Sequence, residues 1–369
     1  MKTITLFLNL LITTTLFSQH AFFIHVTTPE NSSGNLTVLD HPMLNNNPSA
    51  HLIITHNADA GHPDGVYNNN VTGVFYSNFI QRWTIFNENQ NPIVNLSAYN
   101  VYVESGNQAF IHIADESNIG VNGDYDSVID NPLMNGNPGA NAVFSNYFNP
   151  FEIYNNKNFG LWYDESLERW IISESNAIAI TLQTAFFFVG GENKNQDVIA
   201  FSYEAVPSDI SPEVMRINHP YLNNNPDAIF VISHNWGVTG DTSNVNVTIP
   251  VTVSYWDWDN RWYILSEDSS NFEVGTKFNI MMDSAFLSTN IHNTLSTTLY
   301  PNPATDQIHF KAQDVVDSIT IFDNLGRVVW QEEVNSTATT IDISRLNNGV
   351  YIILAKANSA VSTQKFIKK

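Results

Sequence analysis

The strongest constraint on this chain is an internal repeat. His41-Pro42-Met43-Leu44-Asn45-Asn46-Asn47-Pro48 returns as Asn131-Pro132-Leu133-Met134-Asn135-Gly136-Asn137-Pro138, and again as His219-Pro220-Tyr221-Leu222-Asn223-Asn224-Asn225-Pro226. Each copy then carries an apolar run ending in polar or aromatic residues: Leu52–Asn57, Ala142–Tyr147 and Phe230–Asn235. Further on come Arg82-Trp83, Arg169-Trp170 and Arg261-Trp262, each followed by Ile and then by Glu88, Glu174 or Glu267. Each copy closes on a second apolar run: Tyr99–Val103, Ala185–Val189 and Phe278–Met282. A unit repeated at this period buries its apolar faces by packing as one of several similar units.

The copies read as β-structure. Pro, Gly and Asn punctuate the chain about every 8–12 residues, and β-branched and aromatic runs lie between them. The chain holds 49 Asn, a residue that tolerates the left-handed region and hydrogen-bonds its own backbone, so Asn-Asn-Asn-Pro is turn chemistry. No run sustains a helical period. Three units are too few to close a propeller, and the units are longer than those of a β-trefoil. The expected fold is all-β: three tandem β-sandwich-like modules followed by a small Ig-like β-sandwich. The boundaries are a leader at 1–18, modules at 19–105, 106–192 and 193–288, a linker at 289–298 and a final domain at 299–369. Tyr99–Glu104 and Ala109–Ile113 read as one hairpin across a module boundary, so modules that share or exchange strands are also in view.

Composition narrows the function classes. Residues 19–293 hold 29 Asp and Glu against seven Lys and Arg, a formal charge of −22. Nucleic-acid binding draws on Lys and Arg that neutralise phosphates, so no nucleic-acid partner is expected. There is no Cys, which removes disulfides, thiolate metal sites and cysteine nucleophiles together. Residues 1–18 have Lys2 before the apolar stretch Ile4–Phe17 and end on the small Ser18, the pattern of a secretory signal peptide. No later run is long enough to span a bilayer as a helix, so the mature protein is expected to have no transmembrane segment.

The last segment carries a resemblance. Its motifs are Tyr300-Pro301-Asn302-Pro303, Ile321-Phe322-Asp323-Asn324-Leu325-Gly326-Arg327, Ile341–Tyr351 with Gly349 and Tyr351, and the terminal Lys365-Phe366-Ile367-Lys368-Lys369. In that order they resemble the type A C-terminal sorting domain of the type IX secretion system of Bacteroidota. The resemblance implies the type IX machinery as a partner, passage through the periplasm and outer membrane, and release or attachment at the outer cell surface. The repeats resemble Asn-rich tandem modules of secreted bacterial proteins, a likeness that supports export and β-structure and transfers no active site.

Comparison of the copies sorts the candidate residues. His56 and His234 end their apolar strands and could titrate or bind, but the second copy has Asn146 there, which fits a hydrogen bonder better than a ligand. Trp83, Trp170 and Trp262 alternate with Ile in a core pattern. Closing the preceding hairpin is expected to set Tyr76, Tyr163 and Trp256 opposite Arg82, Arg169 and Arg261 as cation–π pairs. The rival reading of these aromatic and Arg residues is a sugar-binding platform. Glu88, Glu174 and Glu267 read as turn chemistry, because their spacing from the Trp slips by one in the second copy. His56, Asp59, His62 and Asp64 form a weak candidate loop for calcium or zinc. Tyr255-Trp256-Asp257-Trp258-Asp259-Asn260 is an acidic aromatic turn or a ligand platform. No catalytic motif is present, and no cofactor is expected. The expectation is a secreted or surface-displayed, non-enzymatic protein with repeated binding modules for glycan or another surface polymer, with a secreted hydrolase and a structural spacer as alternatives.

Overall fold

A computed structural model describes residues 20–62, 65–104, 106–190, 197–239, 245–287, 297–323, 327–357 and 360–369. The expected leader and most of the expected linker lie outside the described residues. The chain forms two compact units, Met1–Ser284 and Ala285–Lys369. Among the described residues both are all-β, apart from one 3-10 turn at Ser284–Leu287.

In the first unit each copy builds two separate pieces. One is a three-strand piece whose closing strand lies between a lead strand and an inner strand. The lead strands are His20–Val26, Ala109–Ile113 and Val198–Glu204. The inner strands are His51–Asn57, Val143–Tyr147 and Phe230–Val238. The closing strands are Ala98–Glu104, Ala185–Val189 and Lys277–Asp283. The other piece is a hairpin ending in the Arg-Trp strand: Thr72–Ser77 with Arg82–Asn87, Phe159–Asp164 with Arg169–Glu174, and Val251–Trp256 with Arg261–Ser266.

The two pieces of one copy lie in different sheets. The first copy's inner strand pairs in parallel with the third copy's hairpin, Thr252 beside His56. The second copy's inner strand pairs with the first copy's hairpin, Asn146 beside Gly73. The third copy's inner strand pairs with the second copy's hairpin, Leu161 beside Asn235. The result is two seven-stranded sheets and one six-stranded sheet, each made by two copies. The exchange is cyclic, so the sheets run across the repeat boundaries near 105 and 192.

The expected hairpin of Tyr99–Glu104 with Ala109–Ile113 does not form. Ala98–Glu104 is buried at every position and already paired on both edges, with His20–Val26 and His51–Asn57. A strand with both edges filled has no backbone groups left for a third neighbour. Ala109–Ile113 instead pairs with Ala185–Val189 of its own copy.

Hydrogen bonds between the inner strands close the ring a second time. The N–H of Ile54 donates to Ser145 Oγ, that of Phe144 to Ser233 Oγ and that of Ile232 to Thr55 Oγ1, each at 2.9 Å. A short hydroxyl at this slot in every copy thus satisfies a buried N–H of a neighbouring copy. Where the inner and closing strands face each other, Asn57 donates to Asn100 and Asn235 to Asn279. The second copy replaces that polar pair with Tyr147 stacked on Phe187, centroids 3.9 Å apart.

The second unit is a five-stranded sheet of Thr297–Tyr300, Gln307–Phe322, Val328–Asp342, Gly349–Ala357 and Ala360–Lys368. Gln307–Phe322 is one long strand, whose register against Val328–Asp342 shifts between Lys311 and Val316. Its core includes Ile308, Phe310, Ile319, Ile321, Ile341, Tyr351, Ile353 and Phe366.

Candidate functional site

The two most repeated motifs form one structural clamp. Trp83, Trp170 and Trp262 are buried, and each indole N–H donates at 2.8 Å to the carbonyl of the last Asn of its turn: Asn47, Asn137 or Asn225. In return the N–H of Asn46, Gly136 or Asn224 donates to the carbonyl of Gln81, Glu168 or Asn260. That carbonyl also accepts a guanidinium N–H from Arg82, Arg169 or Arg261. The middle turn residue has φ near +60° in all three copies: Asn46 +58°, Gly136 +66° and Asn224 +55°. This conformation explains why Asn and Gly interchange there.

The hairpin register corrects the expected cation–π pairs. Tyr76 faces Trp83 and Tyr163 faces Trp170, both edge-on. The residues facing Arg82 and Arg169 are Ser77 and Asp164. Tyr76 and Tyr163 therefore share the buried face with Trp, while the Arg side chains take the other face. Only Trp256 stands opposite its Arg, Arg261, and the residue equivalent to Tyr76 is Tyr255, which faces Trp262.

Strand exchange brings together two residue sets that looked unrelated in sequence. At the seam of copies three and one, His56 Nδ1 pairs with Glu267, their side chains 5% and 1% exposed. At the seam of copies one and two, Glu88 accepts the N–H of Asn155 at 2.7 Å, and Asn155 and Asn146 exchange amide hydrogen bonds. Burial pushes the Glu88 carboxyl up to about 7, against the lowering effect of the Asn155 and Asn146 donors. At the seam of copies two and three the slip in spacing takes effect. Glu174 turns back to accept the N–H groups of Asn176 and Ile178, as turn chemistry predicts. His234 instead pairs with the carbonyl of Val245, and burial lowers it to about 3. His234 Nδ1 and Trp236 Nε1 crowd Gly160, where a Cβ would come within 2.6 and 2.8 Å of them.

The inner strands of all three copies reach one cavity of about 160 Å³. Its wall includes Thr55, Ser145 and Ser233, the strand-end His56, Asn146 and His234, and Glu267.

The outer face of the third hairpin has its own chemistry. Trp256 stacks on Tyr263 with centroids 4.0 Å apart, and Trp258 lies 6.0 Å from Trp256. Trp258 is 76% exposed. The Tyr263 hydroxyl donates to Asp259; burial, and then that carboxylate, push its phenol up. Phe79 and Leu167 are exposed at the tips of the other two hairpins.

The candidate metal loop is dispersed. Asp59 accepts the Ser254 hydroxyl and the N–H of Tyr255, and His56 faces Glu267. His62 is described, while Asp64 lies outside the described residues. No group of three or more His, Asp or Glu suited to a metal occurs among the described residues.

Of the sorting motifs, Asn302 bonds the backbone of Lys365 and Ile367, and Arg327 pairs with Asp323 at 2.7 Å. Tyr351 is buried and donates to the carbonyl of Asn347. Tyr300, the last residue of the strand Thr297–Tyr300 before Pro301 and Pro303, is exposed. Gly349 opens the strand that runs to Ala357, and Gly326 lies outside the described residues.

The geometry defines a class: an all-β protein of three cyclically exchanged copies followed by a five-stranded C-terminal unit. The chain belongs to the family described as Domain of unknown function (DUF7452), matched at residues 6–103, 73–189 and 160–282. The matches overlap at the hairpins, because the second and third each begin within a hairpin of the preceding copy, the partner of their own inner strand. Residues 298–369 match the secretion system C-terminal sorting domain, so the chain is exported by type IX secretion to the cell surface or extracellular space. No curated protein matches.

Similar solved structures include PorZ, an essential bacterial surface component of the type IX secretion system of Porphyromonas gingivalis. It is 17% identical over 35% of this chain and 24% of that one, with a TM-score of 0.18. A biofilm-associated protein's BSP domain is 11% identical over 96% and 66%, TM-score 0.18. The four N-terminal Ig domains of Dscam1 isoform 6.9 are 12% identical over 91% and 99%, TM-score 0.23. The chain thus spans about a quarter of the PorZ chain.

Proposed function

We propose that this is a non-enzymatic binding protein that reaches the surface by way of a cleaved signal peptide and the periplasm, and there holds an extracellular glycan. The observation that carries this reading is the third hairpin: Trp258 is largely exposed yet packed beside Trp256 and Tyr263. A held aromatic face can stack on the apolar face of a sugar ring with little loss of side-chain freedom. Asp257 and Asp259 flank it as hydrogen-bond acceptors for sugar hydroxyls. The exposed Phe79 and Leu167 add apolar contacts at the other two hairpin tips, and several weak contacts on one polymer gain avidity.

The test is a glycan array probed with the full mature chain and with its Trp258→Ala variant. Binding that the variant loses, with its melting curve unchanged, supports the platform. No glycan bound, together with turnover on a chromogenic substrate panel, replaces the reading with a secreted hydrolase. Neither binding nor turnover leaves a spacer.

A further inference from the structure

On the wall of the cavity shared by the three copies, His56 Nε2 and Glu267 Oε2 are buried without a hydrogen-bond partner. Both are acceptors. Nδ1 of His56 faces the Glu267 carboxylate, so in the tautomer that suits this contact the proton sits on Nδ1 and Nε2 presents a lone pair. The wall hydroxyls of Thr55, Ser145 and Ser233 each accept a backbone N–H and keep an O–H donor, which Ser233 gives to the carbonyl of Phe144. Asn146 is bonded to Asn155. Lys157 is the one Lys or Arg among the described lining residues, and it donates to the carbonyl of Ala179. The wall atoms left without a partner are therefore acceptors, one of them a carboxylate oxygen, inside a repeat region of charge −22. Ile54, Phe144, Ile232 and Phe278 supply apolar surface beside them.

We propose that this cavity binds a primary ammonium group. Glu267 Oε2 and His56 Nε2 take two of its N–H donors, and the apolar wall packs on the carbon that bears it. A buried carboxylate oxygen is best satisfied by a charged donor, and an ammonium carries three donors and no acceptor. The wall comes from all three copies, so the ligand binds the closed ring and stabilises it by mass action. The site is separate from the third hairpin and does not rest on its reading.

The test titrates the full mature chain with ethanolamine and glucosamine, and with ethylene glycol and N-acetylglucosamine as uncharged matches. The readouts are the imidazole proton resonances of the histidines and the melting midpoint. Saturable binding of the amines, with the uncharged matches weaker by about tenfold or more, is expected. Glu267→Gln should weaken amine binding by about the same factor. Ile249→Trp, on the half-buried rim, should block the mouth while leaving the floor intact, and it answers the case in which the Glu267 variant does not fold. Trp258→Ala should leave amine binding unchanged, which separates this site from the glycan platform. A preference for glucosamine assigns the ammonium to an amino sugar, and a preference for ethanolamine to a simple amine. Equal binding of amines and uncharged matches, no saturable binding, or binding that survives Ile249→Trp overturns the proposal.

Discussion

Two seams of the ring place a buried glutamate at the same position of the repeat, and they treat it differently. Glu267 meets an imidazole, His56. Glu88 meets only amides, from Asn155 and Asn146. Amide donors do not offset the loss of water, so burial carries Glu88 up to about 7. The chemistry of a repeated residue is thus set by what the next copy places opposite it. The third seam makes the point by omission: with Glu174 folded back on its own turn, His234 has a backbone carbonyl in place of a carboxylate.

The largest break in this comparison is Glu267→Ala. It leaves the buried Nδ1–H of His56 without its acceptor and opens a cavity, and should cost about 3–5 kcal/mol, read by urea unfolding. A loss below ~1 kcal/mol would show that the pair contributes little.

Glu88→Gln sharpens the contrast in the opposite direction. The folded carboxyl titrates near 7 against an ordinary value of 4.5, so the native state binds more protons than the unfolded chain between those values. Stability from this group is therefore full below pH ~4.5 and falls as pH rises toward ~7. The isosteric amide should gain about 1–3 kcal/mol over wild type at pH 8 and little at pH 4. Parallel pH–stability curves for the two proteins would refute the raised titration.

Gly160→Ala probes the seam without a carboxylate. Its new Cβ meets His234 and Trp236 well inside contact distance, and the overpacking should cost about 1–3 kcal/mol. Smallest is the clamp. Asn46→Ala forces a residue with a Cβ and no side-chain hydrogen bond to φ +58°, for about 1–2 kcal/mol. Arg82→Ala, half-exposed, should cost under ~1 kcal/mol. A larger effect for Arg82 than for Asn46 would reverse the ranking within the clamp.

Much of the fold is legible in the residues. The alternation around Trp83, Trp170 and Trp262 marks a core strand, and Asn-Asn-Asn-Pro marks a turn. The motifs from Tyr300 to Lys365 mark the sorting unit, where local pattern decides the outcome. What is not legible is which pieces pair across copies. Tyr99–Glu104 and Ala109–Ile113 have the spacing of a hairpin, and nothing local states that both edges of the first are already filled. The aromatic register failed for a related reason. Each hairpin loop has four residues between the paired ends, as from Ser77 to Arg82, and a shift of one moves Tyr76 from beside the Arg to beneath the Trp. His56 and Glu267 stand 211 positions apart. Each was visible as a repeated residue, but their meeting is a property of the ring.

The cyclic exchange also sets an order of events for a chain that emerges from its N-terminus. The strand His51–Asn57 appears early, yet its parallel neighbour, Val251–Trp256, is among the last strands of the repeat region to be made. Until then the first copy keeps an open, hydrogen-bond-hungry edge, which is a site of mispairing in any β-protein. Native pairing of that edge requires closing the long loop from His56 to Thr252, which slows folding. A secreted chain built this way has a long interval in which it is still unlocked and can be threaded, and a sharp end to that interval when the third hairpin arrives.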